Sequence, residues 1–315
     1  MSPEPTLAPP TPATPATPRV YDCFTYDGEE CLDLRLRAHW ERVDVFVIVE
    51  AAMTFAGQPK ALSFDAERFA WAMDKVRYLP LQAAAFEGCA TAWDRERAQR
   101  NALREGYADA APGDVVIIAD VDEILRPERI APVAEGEVRV FEQLMLYFYN
   151  DYLMVSEPIW RKAVAVCGAD ALRHAPEDLR NSKALRATLR EVPVADAGWH
   201  FSYLGGMDMI QKKLERFSHQ NLNKPKYRDR QKNLARLYAG KDIYHRAKRW
   251  GRVQLPAGHW GSAVVEQWFR DRPELQAPRD IRSAGGLDAV LDAQRTQGRW
   301  GRRWRKLWLR LWNLA

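Results

Sequence analysis

The chain predicts an α/β fold built on buried, parallel strands, and three observations carry that expectation. Val43-Asp-Val-Phe-Val-Ile-Val-Glu50 is a β-branched run ending in a carboxylate. Val115-Val-Ile-Ile-Ala119, too short for a membrane span and apolar on both faces, ends the same way at Asp120. Helical patterns precede both runs, over 29–42 and 92–107, so helix alternates with strand. At 315 residues, 47% hydrophobic and 28% charged, the chain can bury a full core and is long for one domain. The expected organisation is one large domain over 20–290 with a leader over 1–19 and a tail over 291–315.

Within the leader, Ser2 to Pro18 hold seven of the nineteen prolines, alternating with Thr and Ala and carrying one charge, Glu4. Such a segment cannot bury a core and reads as a disordered, partly polyproline-II stretch. Order begins at Val20. In the first helical pattern Leu32, Leu36, Trp40 and Val43 form one stripe, with Arg35 and Arg42 outside it. The strand ending at Glu50 leads into a loop containing Thr54, Gly57 and Pro59. Glu50 stands where it can accept hydrogen bonds from a ribose or base; the alternative is a loop-orienting or helix-capping group. A short third strand is expected over Lys75–Pro80. In the helix that follows, Trp93, Arg97, Arg100 and Arg104 recur at helical spacing. That stripe is either a solvated, ion-paired face or a source of arginines for a diphosphate, since the helix directly precedes the acidic strand.

At the end of that strand, Asp120 and Asp122 lie two apart, so extended backbone puts both side chains on one face. Strands of this kind open ligand crevices at their carboxyl ends. Two close carboxylates repel unless a cation lies between them, and hard oxygen ligands suit Mg²⁺ or Mn²⁺ carrying a phosphorylated substrate. The competing reading is a solvated acidic turn. One or two strands are expected over the aromatic-rich Glu137–Tyr152, another over Ala163–Cys167, and helix over Pro176–Arg190. Ala197-Gly-Trp199-His200-Phe-Ser202-Tyr203-Leu-Gly-Gly206-Met-Asp208 reads as a substrate-facing loop. Its glycines let backbone approach a ligand, Trp199 offers a sugar-stacking plane, and Asp208 either caps a helix or takes a proton. His219 sits on a following helical pattern, where a lone histidine is more often structural than a ligand.

The net charge of +5 permits anionic partners. No nucleic-acid motif accompanies the basic stretch over 224–251, so nucleic acid is the least favoured partner. Four scattered cysteines lack zinc spacing and point to a reducing compartment. The N-terminus lacks a secretory pattern, and no apolar run reaches about 20 residues. A cytoplasmic location, peripheral at the inner face of the membrane, is expected. The tail supports the peripheral part: Trp300, Trp304, Trp308 and Trp312 recur every four residues, covering about 120° of a helix opposite basic residues. Such a helix lies on an anionic bilayer or packs its Trp face on the domain.

Taken in order, several blocks resemble glycosyltransferase family 17, the family of the β-1,4-mannosyl-glycoprotein 4-β-N-acetylglucosaminyltransferases and their bacterial relatives. They are Tyr21-Asp-Cys-Phe-Thr-Tyr26, Leu32-Asp-Leu-Arg-Leu-Arg37, Val45–Glu50 with Thr54–Lys60, Arg100-Asn101-Ala-Leu103, Ile118–Ile124, Ala197–Gly206 and Lys213–His219. They span roughly 20–245. Leu125 and Gln220 depart from the pattern, where a proline and an acid are frequent. The resemblance implies a GT-A fold, a nucleotide-sugar donor, and Mn²⁺ or Mg²⁺ held by Asp120 and Asp122; His219 or His200 is the further ligand expected to complete the coordination. It implies inverting transfer of N-acetylglucosamine from UDP-GlcNAc to a hydroxyl of an acceptor glycan, and the interfacial tail makes a lipid-linked oligosaccharide a suitable acceptor. Glu50, Thr54, Lys60, Arg97, Arg100, Asn101 and Trp199 are the expected donor-side residues. Asp208, then Asp151, are the expected bases. A nucleotidyl- or phosphotransferase on the same carboxylates and a non-catalytic, membrane-associated glycan-binding protein are the competing classes.

Overall fold

The computed structural model describes residues 17–205 and 229–300. The strands are, in chain order, β1 (Val20–Tyr26), β2 (Val45–Ala51), β3 (Val76–Leu81), β4 (Val115–Asp120), β5 (Glu123–Leu125), β6 (Glu137–Phe141) and β7 (Gln143–Tyr147). There follow β8 (Tyr152–Leu153), β9 (Ile159–Trp160), β10 (Val164–Cys167), β11 (Arg190–Val194), β12 (Gly198–Ser202), β13 (Gly251–Gln254) and β14 (Ser283–Gly286).

The first sheet has the order β11-β6-β10-β4-β1-β2-β3. Its block β3-β2-β1-β4 is parallel, and β10 closes on β4 antiparallel. Parallel neighbours require crossovers. Helix Cys31–His39 supplies one between β1 and β2, and helices Ala92–Asn101 and Leu103–Gly106 lie between β3 and β4. Strand order therefore reverses between β1 and β4, which opens a crevice beyond their carboxyl ends. The apolar runs earn their place by burial: Val115 to Ala119 and Phe46 to Val49 are at most 1% exposed. On one face Phe24, Phe46 and Ile48 meet Leu32 and Leu36. On the other, Tyr21, Cys23, Val47 and Val49 meet Leu103 and Tyr107. Gly106 lets this helix approach β2, since a Cβ there would lie 2.1 Å from Val47 Cγ1.

The second sheet has the order β14-β13-β8-β7-β12-β5, with β9 paired to β7. Here the sequence expectation is corrected. The supposed loop after Ala197 is β12, parallel to β7 and antiparallel to β5, with all five residues buried. Alternation along the strand sends Trp199 and Phe201 into the main core. Gly198 begins it with φ +133°, and a Cβ there would lie 2.1 Å from the Ile124 carbonyl oxygen. The helical pattern over 92–107 divides at Ala102, and Thr91 with Asp94 forms a capping box at its start. Helix Leu287–Trp300 docks through Leu287 and Val290, while the leader up to residue 16 and the tail from 301 lie outside the described residues. Among the described residues no helix is long and apolar enough to cross a membrane.

Arg35, placed outside the helix stripe by the sequence pattern, is fully buried. Its Nε and Nη2 donate to Asp22 at 2.9 and 2.5 Å, and its Nη1 to the carbonyls of Asp120 and Glu123 at 2.9 and 2.8 Å. His39 Nδ1 donates to Asp22 at 2.8 Å, and its Nε2 accepts from the Leu125 N–H at 3.0 Å. Burial pushes the Asp22 carboxyl up, but Arg35 and His39 more than offset this and hold it well below the usual carboxylate range. Its contribution to stability is therefore complete above about pH 4 and is lost as pH falls further. Asp22→Asn leaves the Arg35 charge buried without its counter-charge, so urea unfolding at pH 7 should show a loss of about 3–5 kcal/mol. A loss under about 1 kcal/mol would show that the pair is dispensable.

Candidate active site

A cleft of about 860 Å³ opens at the reversal of strand order. Thr25, Tyr26 and Asp27 reach it from the end of β1, and Asp120, Val121 and Asp122 from the end of β4. His200 and Ser202 line it from β12, on the face opposite Trp199 and Phe201.

Asp120 is the charged centre of this wall. Its Oδ1 accepts from Arg100 Nη2 at 3.1 Å and its Oδ2 from Arg180 Nη2 at 2.6 Å, while a third of the side chain faces the cleft. Burial raises its pKa, yet Arg180 and Arg100 overcome that and keep the carboxyl below its ordinary range. Arg100 also pairs with Glu96 and Glu177, and Arg180 with Glu123. Glu123 is fully buried and receives the Asp120 N–H at 2.9 Å, the Trp160 Nε1–H at 2.5 Å and two Arg180 bonds. It thus ties the acidic turn to helix Pro176–Asn181 and to β9. Asp122 is 4% exposed, and His200 Nε2 lies 3.4 Å from its Oδ1.

The residues fit a divalent cation of a particular kind. Among the described residues, no three His, Cys, Asp or Glu side chains group to hold a metal. Asp120 and Asp122 instead offer two carboxylates on one cleft wall. Mg²⁺ and comparable hard cations take one or two carboxylates when phosphates and water complete the shell. The local charge agrees, because Asp120, Asp122, Glu96, Glu123 and Glu177 outnumber Arg100, Arg180 and Lys162.

Other expected residues are distributed unevenly. Thr54, Lys60 and Arg100 line the cleft. His200 approaches the acidic pair through Asp122, and its Nδ1 lies 3.0 Å from Met145 Sδ. Glu50 is corrected: it is fully buried, and its oxygens take Lys60 Nζ, the Ser63 and Phe64 N–H groups and the Tyr78 hydroxyl. It orients the 60–64 loop and has no oxygen facing a ribose. Trp199 is corrected too, at 1% exposure beneath Arg126 and against Trp260, with no ring face for a sugar. Asp151 accepts the Ala277 N–H at 2.8 Å away from the cleft lining, and burial raises its pKa to about 6. Arg97 is exposed on the outer side of its helix, and Asn101 receives the Glu177 N–H at 3.0 Å, capping helix Pro176–Asn181; neither lines the cleft. Asp208 and His219 lie outside the described residues.

The aromatic stretch over 137–152 was read as strands beside the acceptor region or as plain core, and its Tyr147 lines the cleft; sequence reasoning missed Arg180, Trp160, Lys162 and the partners of Tyr147 there, Tyr203, Tyr244 and Trp250. Tyr147 stacks on Trp250 with centroids 4.1 Å apart, and the Tyr203 and Tyr244 hydroxyls meet at 2.8 Å. Trp250 Nε1 is buried with no hydrogen-bond partner among the described residues. The aromatic density over 137–152 was the available signal for this aromatic group; nothing local marked Arg180 or Lys162.

The family profile described as glycosyltransferase family 17 matches residues 12–247, most of the chain. No curated protein matches the chain, and no solved structure does.

Trp199, displaced from the cleft, has a role of its own. Its Nε1–H donates to His259 Nε2 at 2.8 Å. Burial, then Arg126, push the His259 pKa down to about 4. The unfolded histidine titrates near 6.5, so between those values the unfolded chain holds more protons and stability rises with pH. Stability should fall by up to about 3 kcal/mol as pH drops from about 6.5 towards 4. Urea midpoints at pH 7 and 4.5 check this: His259→Gln, which can still accept from Trp199, should remove most of the difference. Equal acid losses in both proteins would place the titrating group elsewhere.

Proposed function

Because the chain belongs to glycosyltransferase family 17 and is a glycosyltransferase, we propose that it is a GT-A-type, metal-dependent, inverting enzyme. In this reading it moves N-acetylglucosamine from UDP-GlcNAc to a hydroxyl of a glycan or lipid-linked oligosaccharide. The observation that carries the reading is the placement of Asp120 and Asp122 at the carboxyl end of β4, facing a cleft at the reversal of strand order.

Asp120 and Asp122 are the residues that would hold Mn²⁺ or Mg²⁺, and a bound cation supplies Lewis-acid stabilisation of the departing diphosphate. The remaining roles belong to side chains. Arg100 and Arg180 fix Asp120, and His200 faces Asp122, so both carboxylates are oriented before substrate arrives. Thr54, Phe55 and the half-exposed Trp93 form one end of the cleft, which we assign to the nucleoside. Lys60 stands beside them, clamped between Glu50 and Asp27 at 2.9 Å each. The part of the cleft lined by Tyr147, Tyr203, Tyr244 and Trp250 is assigned to the acceptor saccharide.

The proposed base is Asp208. It follows Tyr203, which lines the cleft, by five positions in the sequence. Its carboxylate would take the acceptor hydroxyl's proton as the new glycosidic bond forms.

Donor turnover tests this reading. Purified protein with Mn²⁺ should release UDP from UDP-GlcNAc coupled to extension of an acceptor glycan, and chelator should stop it. Asp122→Ala should lower kcat by at least about a hundredfold; full metal-dependent activity in that variant would refute the assignment. Asp208→Asn should reduce kcat about 10²–10⁴-fold with little change in donor affinity. A loss of less than about threefold would move the base to another residue.

A further inference from the structure

The cleft is lined by six cationic side chains, Lys60, Arg100, Lys162, Arg180, Arg246 and Lys248. Five are ion-paired within the protein: Lys60 with Glu50 and Asp27, Arg100 and Arg180 with Asp120, Arg246 with Asp242, and Lys248 with Glu157. Of these six, Lys162 alone makes no ion pair among the described residues. Its Nζ donates to Asn181 Oδ1 at 2.9 Å, the neutral side chain that directly follows Arg180. An ammonium has three N–H donors, so two remain for solvent or a ligand.

The surroundings make this an unsettled cation. Burial is the largest influence on Lys162, followed by the nearby Arg180 and Arg186, and together they depress its pKa. Glu123 and Glu177 act in the opposite sense, but their oxygens are already taken up by Arg180 and Arg100. A charge held against like charges, with no counter-ion of its own, gains most when an anion enters the cleft. Lys162 stands between β9 and β10, on the Arg180 side that also carries Asp120.

We propose that Lys162 binds a phosphoryl oxygen of the nucleoside diphosphate, in the donor and in the leaving group, as the one cation lining the cleft among the described residues that is not committed to a carboxylate. This rests on the nucleotide-sugar reading above and replaces Arg97, which faces away, as the source of free positive charge. A lysine acts here as a compact point charge of the kind that binds phosphates elsewhere.

Calorimetric titration with UDP and with uridine, both in Mg²⁺, tests the proposal on the full chain. Lys162→Met should weaken UDP binding about tenfold or more while leaving uridine unchanged, and Lys162→Arg should keep UDP within about threefold of the original. Wild-type affinity for UDP should fall as alkaline pH neutralises the lysine, and the Arg variant should lack that fall below about pH 11. Lys162→Met binding UDP as tightly as the wild type, or losing uridine and UDP equally, would overturn the inference and leave the donor reading standing. A wild type that binds no UDP would overturn the donor reading, and this inference with it.

Discussion

A guanidinium sealed from water holds this molecule's working parts in place. Arg35 cannot be solvated where it sits, so every donor it carries must find a protein acceptor. It takes Asp22 on β1 with two of its nitrogens and the carbonyls of the 120–123 turn with the third. That single side chain joins the first crossover helix, the first strand and the acidic turn. Because a buried charge left unpaired is so costly, the turn has little freedom to swing its carboxylates elsewhere. The same logic repeats nearer the surface, where Arg100 and Arg180 grip Asp120 and Glu123 grips Arg180. The cleft wall is thus built from alternating charges.

Much of the framework could be read from residue order, for a physical reason. Strands buried on both faces must be continuously apolar, so Val45–Val49 and Val115–Ala119 announce themselves, and carboxylates at their ends mark where the chain leaves the core. What escaped reading was partnership over long separations. Asp120 and Arg180 are sixty positions apart, and nothing around Arg180 distinguishes it from an ordinary helix-surface arginine. Arg35 looked like an outward-facing charge because periodicity reports polarity and not the presence of a buried acid to receive it. Glu50 illustrates the converse. Its position at a strand end was seen correctly, but the four donors that consume its oxygens come from a loop and a neighbouring strand.

The Trp-His stretch failed for a different reason. Glycines and a histidine suggested a loop, while the alternation of Trp199, His200, Phe201 and Ser202 was the better guide. Half of that stretch faces the cleft and half the core, so one segment contains both a residue of the site and a residue of the interior. Reading it as a single functional unit assigned Trp199 a ligand that belongs to its neighbour's side of the strand.

Gly198 gives this arrangement a fixed phase. The crowding of its α-carbon by the Ile124 carbonyl and the backbone of Leu125 and Arg126 admits only hydrogen at the strand's first position. The count from there to Ser202 is consequently as constrained as any side chain in it. Adding or deleting one residue between them would exchange the two faces, turning tryptophan towards solvent and histidine into hydrocarbon. Length variation among related chains should therefore collect in the connections on either side of this strand and spare the strand itself, whatever substitutions its individual positions accept.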